Sequence, residues 1–388
     1  VYEKGVEVMD FKKLIAERHE YAQKWKERTG GKVLGWFEPY FPEEIAYAAG
    51  VLPVRIIAQH EPDALSDKWI YGACYPVKDM TNQFLLGRMD YIDGLVNVEG
   101  CQWIFNAYEV ITNNKPDMFK HYLFLPDYTE SKTSKDVLKS ELLVFKTKLE
   151  EWTGNKITDA ALDNAIDIYN KNRTLLRRIC ELRRADNPVI LGSEYMDMLL
   201  ANQVMDKAQM NGILEKFIEE LESREPGKDM IRLMLIGSET WDSNLEKLIE
   251  SLGGNVVIDE LDNGTSYFWD NIFPQKDRMM AVGLRYLGRP RQPIKESNWR
   301  RRPAHIAALA EDYHIDGAII AKQIYCHPHG TDNYEVWKLL RERNIPYHYF
   351  ERDMFVPNDE TTLRVEAFLN TVRAGITRLA GWHNTVEI

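Results

Sequence analysis

The sequence predicts an α/β protein made of two doubly wound, Rossmann-like parallel-sheet domains with a helical section between them. Three observations carry this. Apolar runs of strand length alternate with amphipathic stretches near both ends of the chain, which is the order of a parallel sheet covered by helices. The middle of the chain holds long helical patterns with few Gly or Pro. The 388 residues, 44% of them hydrophobic, suffice for two or three ordinary cores.

The elements follow in order. DFKKLIAERHEYAQKWKERTGG reads as one helix, with Asp10 as N-cap and Gly30 or Gly31 as its stop. KVLGWF is a short strand. FPEEIAYAAG is a helix with Pro42 at its start, acids in its first turn and Gly50 past its end. VLPVRIIA returns as a strand, and DGLVNVEG is another strand ending. From Ser134 to Arg224, three long amphipathic patterns follow one another, and EPGKD reads as a linker. MIRLMLIGS is then a strand, WDSNLEKLIESLGG a helix, NVVID a strand and RMMAVGL a further strand. PAHIAALAEDYHI is a helix, DGAIIAKQIY a strand, TDNYEVWKLLRER a helix, IPYHYF a strand and TTLRVEAFLNTVRAG a closing helix. The expected organisation is an N-terminal helix over 1–30, an α/β domain over 31–133, a helical section over 134–227 and a second α/β domain over 228–388.

Composition excludes several classes. The formal net charge is −11 and the pI about 5.5, which argues against a uniformly basic nucleic-acid surface. No apolar run reaches the roughly 18 residues of a membrane span. The N-terminal stretch is charged and has no apolar signal-peptide core, and the four cysteines are far apart, so a reduced, cytoplasmic setting is expected. There is no Walker A loop, no G-x-G-x-x-G, no C-x-x-C and no H-E-x-x-H.

Ligands of open α/β sheets bind beyond the carboxyl ends of the strands. Cys74, Cys101 and Cys326 fall at or beside such ends, as do Gly237, Ser238 and Glu239. Two readings of the cysteines stand: a folded-together metal cluster site, or three inert buried thiols. Cys180 lies inside a helical pattern and reads as core. His327 and His329 flank Pro328 directly after Cys326, as proton donors, as a metal ligand or as a polar loop. Arg285, Arg289, Arg291, Lys295, Arg300, Arg301 and Arg302 form a local basic anomaly. It suits the phosphates of a coenzyme A moiety, an acidic partner or a solvated loop.

The stretch LGWFEPYFPEEIAYAAGVLPVRI resembles a motif of the 2-hydroxyacyl-CoA dehydratase D-components and the subunits of ATP-dependent benzoyl-CoA reductases. Cys74 follows about 25 residues on, VEGC holds Cys101, YCHPHG holds Cys326, and TTLRVEAFLNTVR resembles that family's closing helix. The resemblance spans residues 30 to 380. It implies that Cys74, Cys101 and Cys326 bind a [4Fe-4S] cluster whose fourth position is not filled by protein. It implies a heterodimer with a homologous sister iron–sulfur subunit. It also implies an iron–sulfur ATPase activator that consumes the ATP, with a ferredoxin-type donor upstream. The resemblance further implies an acyl-CoA substrate whose thioester passes through a ketyl radical anion. Where the family often carries Cys-Asp-Pro, then His or Glu, then Glu, this chain has Cys326-His327-Pro328-His329-Gly330; His327 and Gly330 replace the usual acids, which raises a histidine as the candidate donor. Ring reduction consumes protons, which leans the reading toward an iron–sulfur subunit of a benzoyl-CoA reductase. A 2-hydroxyacyl-CoA dehydratase subunit and an electron-relay subunit whose sister chain binds substrate are the alternatives.

Overall fold

Two four-stranded sheets, both wholly parallel, organise the chain. The computed structural model describes residues 9–61, 64–128, 131–290, 293, 301–352 and 358–375. The first part runs α1 (Phe11–Ala16), α2 (Arg18–Thr29), β1 (Lys32–Trp36), α3 (Glu43–Ala48), β2 (Val51–Arg55), α4 (Tyr75–Leu85), β3 (Gly94–Val98), α5 (Gln102–Asn114) and β4 (Phe119–Leu123). Four helices follow: α6 (Lys132–Thr153), α7 (Asp159–Leu182), α8 (Gly192–Val204) and α9 (Lys207–Ser223). The second sheet begins with β5 (Ile231–Gly237), α10 (Asn244–Ser251), β6 (Gly254–Leu261), α11 (Thr265–Phe268), α12 (Arg278–Gly288) and α13 (Arg301–Asp312). It ends with β7 (Gly317–Gln323), α14 (His327–Glu342), β8 (Tyr347–Arg352) and α15 (Asp359–Arg373).

The strand orders are β2-β1-β3-β4 and β6-β5-β7-β8, so the two sheets share one topology. In each, the chain leaves the first strand toward one edge and later returns to its other side. The switch points therefore lie between β1 and β3 and between β5 and β7, where such sheets open a crevice. Most strand residues are buried on both faces, as the near-continuous apolar runs require.

Four of the elements read from the sequence take a different form in the structure. The first helix is interrupted at Glu17, although Asp10 caps its start and Gly30, at φ 67°, ends it in the left-handed conformation. The long pattern around residue 205 splits because Met205 is extended and Asp206 caps α9, its carboxylate accepting the Ala208 and Gln209 N–H groups at 2.9 and 3.2 Å. RMMAVGL is not a strand but most of α12. Asp277 accepts the Met280 N–H at 3.0 Å, and Met279, Val282 and Tyr286 are buried at helical spacing. A seven-residue apolar run does not separate strand from helix by period alone. Finally, the helix after β7 begins at His327, so Cys-His-Pro-His-Gly is its opening turn rather than a loop. Pro328 sits in the first turn, where a missing N–H costs no hydrogen bond.

Aromatic packing joins the elements beside the first sheet. Trp36 stacks on Phe41 and on Tyr267, with ring centroids 5.8 and 6.1 Å apart, and Phe41 meets Phe145 edge-on at 5.8 Å. The glutamates of FPEEIAYAAG are not solvent-facing first-turn acids. Glu44 is fully buried, ion-paired with Arg173 of α7, and accepts the Tyr286 hydroxyl at 3.0 Å. Glu43 pairs with Lys207 at 3.5 Å and accepts the Tyr267 hydroxyl at 2.5 Å. No helix among the described residues is long and apolar enough to cross a membrane.

Four histidines are held neutral by the packing. Burial lowers the pKa of His19, His121, His305 and His348 to about 4, and nearby Arg18, Lys148, Arg302 and Arg364 push the same way. An unfolded imidazole titrates near 6.5. Because the folded value is the lower one, these groups contribute stability that is complete above about pH 6.5 and is lost as pH falls through 4. Urea denaturation from pH 7 to 4 is expected to show this decline. His121→Phe, which keeps the ring stacked on Phe145 at 4.9 Å, is expected to make it shallower. An unchanged slope in that variant contradicts the assignment.

Candidate functional site

The three cysteines flagged in the sequence come together. Cys74, Cys101 and Cys326 line one pocket between the carboxyl ends of the two sheets. Each occupies the same local position: Cys74 is the N-cap of α4, Cys101 of α5 and Cys326 of α14, all with extended-side backbone angles. Cysteine is an unusual N-cap, since Ser, Thr, Asp and Asn satisfy the free N–H groups better. Three helix N-termini therefore point positive dipole ends at one cavity, a setting that favours thiolate and other anions.

Without a cation present, the Cys101 and Cys326 thiols stay protonated. Burial, with Glu38 adding to it, raises the Cys101 thiol well above its ordinary range. Burial pushes Cys326 up to about 12. The neighbouring Cys74 raises both, while the backbone N–H groups of Ile104 and Trp103, and of His329, favour the respective thiolates. A free nucleophilic thiolate is thus disfavoured, whereas a bound metal deprotonates such thiols outright. Among the described residues, no three His, Cys, Asp or Glu side chains approach closely enough to share a single metal ion. A lone zinc-like ion holds sulfur at about 2.3 Å and so draws its ligands into mutual contact. An iron–sulfur cubane takes each thiolate on a different iron, so its ligands stand farther apart around a common cavity. The donor set, three soft thiols at the mouths of three helices, is of the kind that holds an iron–sulfur cluster or another thiophilic metal centre.

Acidic side chains share the pocket. Glu38, 4% exposed just past β1, accepts the Cys101 N–H at 3.2 Å. Glu239, beyond β5, is ion-paired with Arg55. Burial raises its pKa to about 8, with Asp262 and Glu38 adding to the rise and Arg55 opposing it. Asp262 follows β6. Gly237 ends β5 with φ 147°, and a Cβ there would run into the Ala321 carbonyl of β7, so the two strand ends approach closely only through this glycine. Ser238 and Glu239 were legible as residues beyond a strand end. Glu38, Arg55 and Asp262 were not, because each becomes part of the site only when the two sheets meet.

The histidines separate. His329 is 3% exposed and lines the pocket, its Nε2 3.7 Å from the Asp262 carboxylate. Burial lowers its pKa, and Asp262 pulls the other way. His327 is exposed on the first turn of α14 and does not line the pocket. The arginine run is distributed rather than gathered. Arg285 is buried and donates to the Tyr267 and Asp270 carbonyls at 2.6 and 3.1 Å. Arg289 is buried, donates to the Pro39 carbonyl and lies over Tyr40. Arg302 is buried between Glu260 and Asp332. Arg301 is exposed, and Arg291, Lys295 and Arg300 lie outside the described residues.

Comparison with known proteins gives a consistent picture. The family described as 2-hydroxyglutaryl-CoA dehydratase, D-component, matches residues 39–372. The chain is 24% identical to the (R)-phenyllactyl-CoA dehydratase beta subunit of Clostridium sporogenes, over 94% of this chain and 98% of that protein. It is 24% identical to one of the benzoyl-CoA reductase subunits of Thauera aromatica, over 85% and 88%. It is 22% identical to the beta subunit of (R)-2-hydroxyglutaryl-CoA dehydratase of Acidaminococcus fermentans, over 88% and 92%.

Proposed function

The chain belongs to the 2-hydroxyglutaryl-CoA dehydratase D-component family, and from that premise we propose that it is the iron–sulfur subunit of an enzyme acting on an acyl-CoA thioester. Cys74, Cys101 and Cys326 hold one [4Fe-4S] cluster. The observation that carries this reading is the convergence of three cysteine N-caps on one pocket. A cluster held there supplies single-electron transfer at low potential.

The chain's own residues set the conditions for that transfer. Val77, Met80, Ile104 and Trp241 form apolar walls that limit water. Glu38 and Asp262 surround the thiols with negative charge, which disfavours adding an electron and so keeps the potential low. His329, buried against Asp262, is the histidine of the Cys326 turn placed to hold a proton at the pocket wall. The sister subunit, an iron–sulfur ATPase activator and a ferredoxin-type donor complete the system. ATP is consumed by the activator, not by this chain.

For the reaction, dehydration of a 2-hydroxyacyl-CoA is the reading best supported. The match to a phenyllactyl-CoA dehydratase subunit runs over 98% of that protein. The preference for ring reduction rests on a histidine donor, His327 or His329, and of the two His329 lines the pocket. Reduction of benzoyl-CoA is the second reading, favoured by the His329–Asp262 pair as a proton source. Anaerobic assays with the co-purified sister subunit and activator separate them. Turnover of a 2-hydroxyacyl-CoA with only catalytic reductant is the expected result. Consumption of benzoyl-CoA in proportion to reductant, with no dehydration, would replace it with the second reading.

A further inference from the structure

The three thiols come from two halves of the fold. Cys74 and Cys101 follow β2 and β3 of the first sheet, and Cys326 follows β7 of the second. Their mutual spacing therefore depends on what ties one sheet's strand ends to the other's.

Arg55, the last residue of β2, makes that crossing. It is 2% exposed. One arm of its guanidinium donates to Gln203 Oε1 of α8 at 2.5 Å, and the other pairs with the Glu239 carboxylate beyond β5. Its guanidinium carbon lies 5.1 Å from the Trp36 ring of the first sheet and 5.2 Å from the Trp241 ring of the second part. From Glu239 the contacts run on to Cys326. The Glu239 carbonyl accepts from Gln323 and Arg352 at 3.5 and 3.2 Å. Gln323 donates its backbone N–H to Ser238 Oγ at 2.8 Å, and its carbonyl accepts the Cys326 N–H at 3.0 Å. In the other direction, the loop that follows Arg55 is fastened to α4. The Gln59 and Glu61 N–H groups donate to the Asp79 carboxylate at 3.0 and 2.5 Å, and Cys74 caps that helix.

We propose that Arg55 is the positioning residue that sets the spacing of Cys326 relative to Cys74 and Cys101. It touches no thiol. It acts by holding Glu239 and Trp241 of one half against Trp36 and Gln203 of the other. A planar fork that binds two partners and stacks on two rings cannot be reproduced by an ammonium group. The consequence for iron rests on the cluster reading given above, whereas the spacing claim rests on the contacts alone.

The test uses Arg55→Met, Arg55→Lys and Glu239→Ala in the full chain, with two readouts. The first is the rate of iron loss to a chelator in oxygen-free buffer. Arg55 reaches Cys326 only through Glu239 and Gln323, so the cost of about 10–100-fold for losing a direct partner of a metal ligand is a ceiling here; Arg55→Met is expected to release iron several-fold faster than wild type, with Arg55→Lys between them. The second readout is bis-maleimide cross-linking of iron-free protein, followed by mass spectrometry. The Cys74–Cys326 link is expected to fall several-fold in Arg55→Met, while the Cys74–Cys101 link, within one half, stays constant. Unchanged iron loss and unchanged links in a folded variant would overturn the proposal. If wild type binds no iron, the cluster reading fails and the cross-links alone decide the positioning role. If Arg55→Met does not fold, Glu239→Ala removes the acceptor and so cuts the same tie from the other side, and wild-type behaviour there is equally decisive.

Discussion

Cys326→Ser protein, purified without oxygen, is expected to lose its iron–sulfur absorbance and its activity together. Loss of a partner that merely orients a metal ligand already costs about 10–100-fold, so loss of a thiolate is expected to lower turnover by more than about 100-fold. Serine keeps the size of the side chain, and its hydroxyl is a better N-cap than a thiol, so α14 should remain intact and the far-ultraviolet spectrum unchanged. Cys101→Ser and Cys74→Ser are expected to behave alike. Cys180→Ser is the internal control. That sulfur is buried in α7, 3.1 Å from the Tyr313 hydroxyl, and is not part of the pocket lining, and its replacement should leave iron content as in wild type. His327→Ala is also expected to be silent, since the side chain is exposed. Full activity in Cys326→Ser would remove Cys326 from the site.

The largest stability effect is expected at Glu44. Its burial raises the carboxyl pKa, but Arg173 and Arg285 more than offset this and leave it below its ordinary value, so the group is ionised in the interior. Removing one partner of a buried pair strands the other charge and costs about 3–5 kcal/mol. Glu44→Ala and Arg173→Ala are each expected to lose that much in urea denaturation. Replacing both at once by apolar residues of similar volume, Glu44→Leu with Arg173→Met, should recover most of the loss, because no charge is then left unpaired. The pair joins α3, beside the first sheet, to α7 of the helical section, and Tyr286 brings α12 to the same carboxylate. A loss below about 1 kcal/mol in either single variant would show that water reaches the site and screens it.

This network also shows where sequence reading stops. Pro42, two acids and Gly50 mark the ends of a helix, and that reading is sound. Periodicity cannot say that the acids turn inward, because their cationic partners, Arg173 and Lys207, lie more than a hundred residues away. The same holds for the arginine run. Arg285, Arg289 and Arg302 look like surface charge in a one-dimensional count, yet Arg289 and Arg302 are buried on a carbonyl and a carboxylate of distant elements, and Arg285 on carbonyls of the segment before its own helix. Strands of both sheets were legible because buried parallel strands read as continuous apolar runs between Gly and Pro. β4 was not, since FKHYL, an edge strand, alternates polar and apolar residues and carries Lys120 and His121. RMMAVGL failed for want of length. Of the site, the three cysteines were visible as residues at strand ends, and the resemblance of YGACYP, VEGC and YCHPHG to family motifs joined them. That each caps a helix, and that Arg55 and Glu239 bridge the two sheets beside them, follows only from the folded chain.

If Cys74, Cys101 and Cys326 share one iron–sulfur cluster, iron-edge anomalous scattering from crystals grown and kept without oxygen is expected to give a compact iron peak in the pocket between the two sheets, connected to all three sulfurs and to no other cysteine. An iron-free pocket in fully active protein, or iron bound away from these thiols, would contradict the shared cluster.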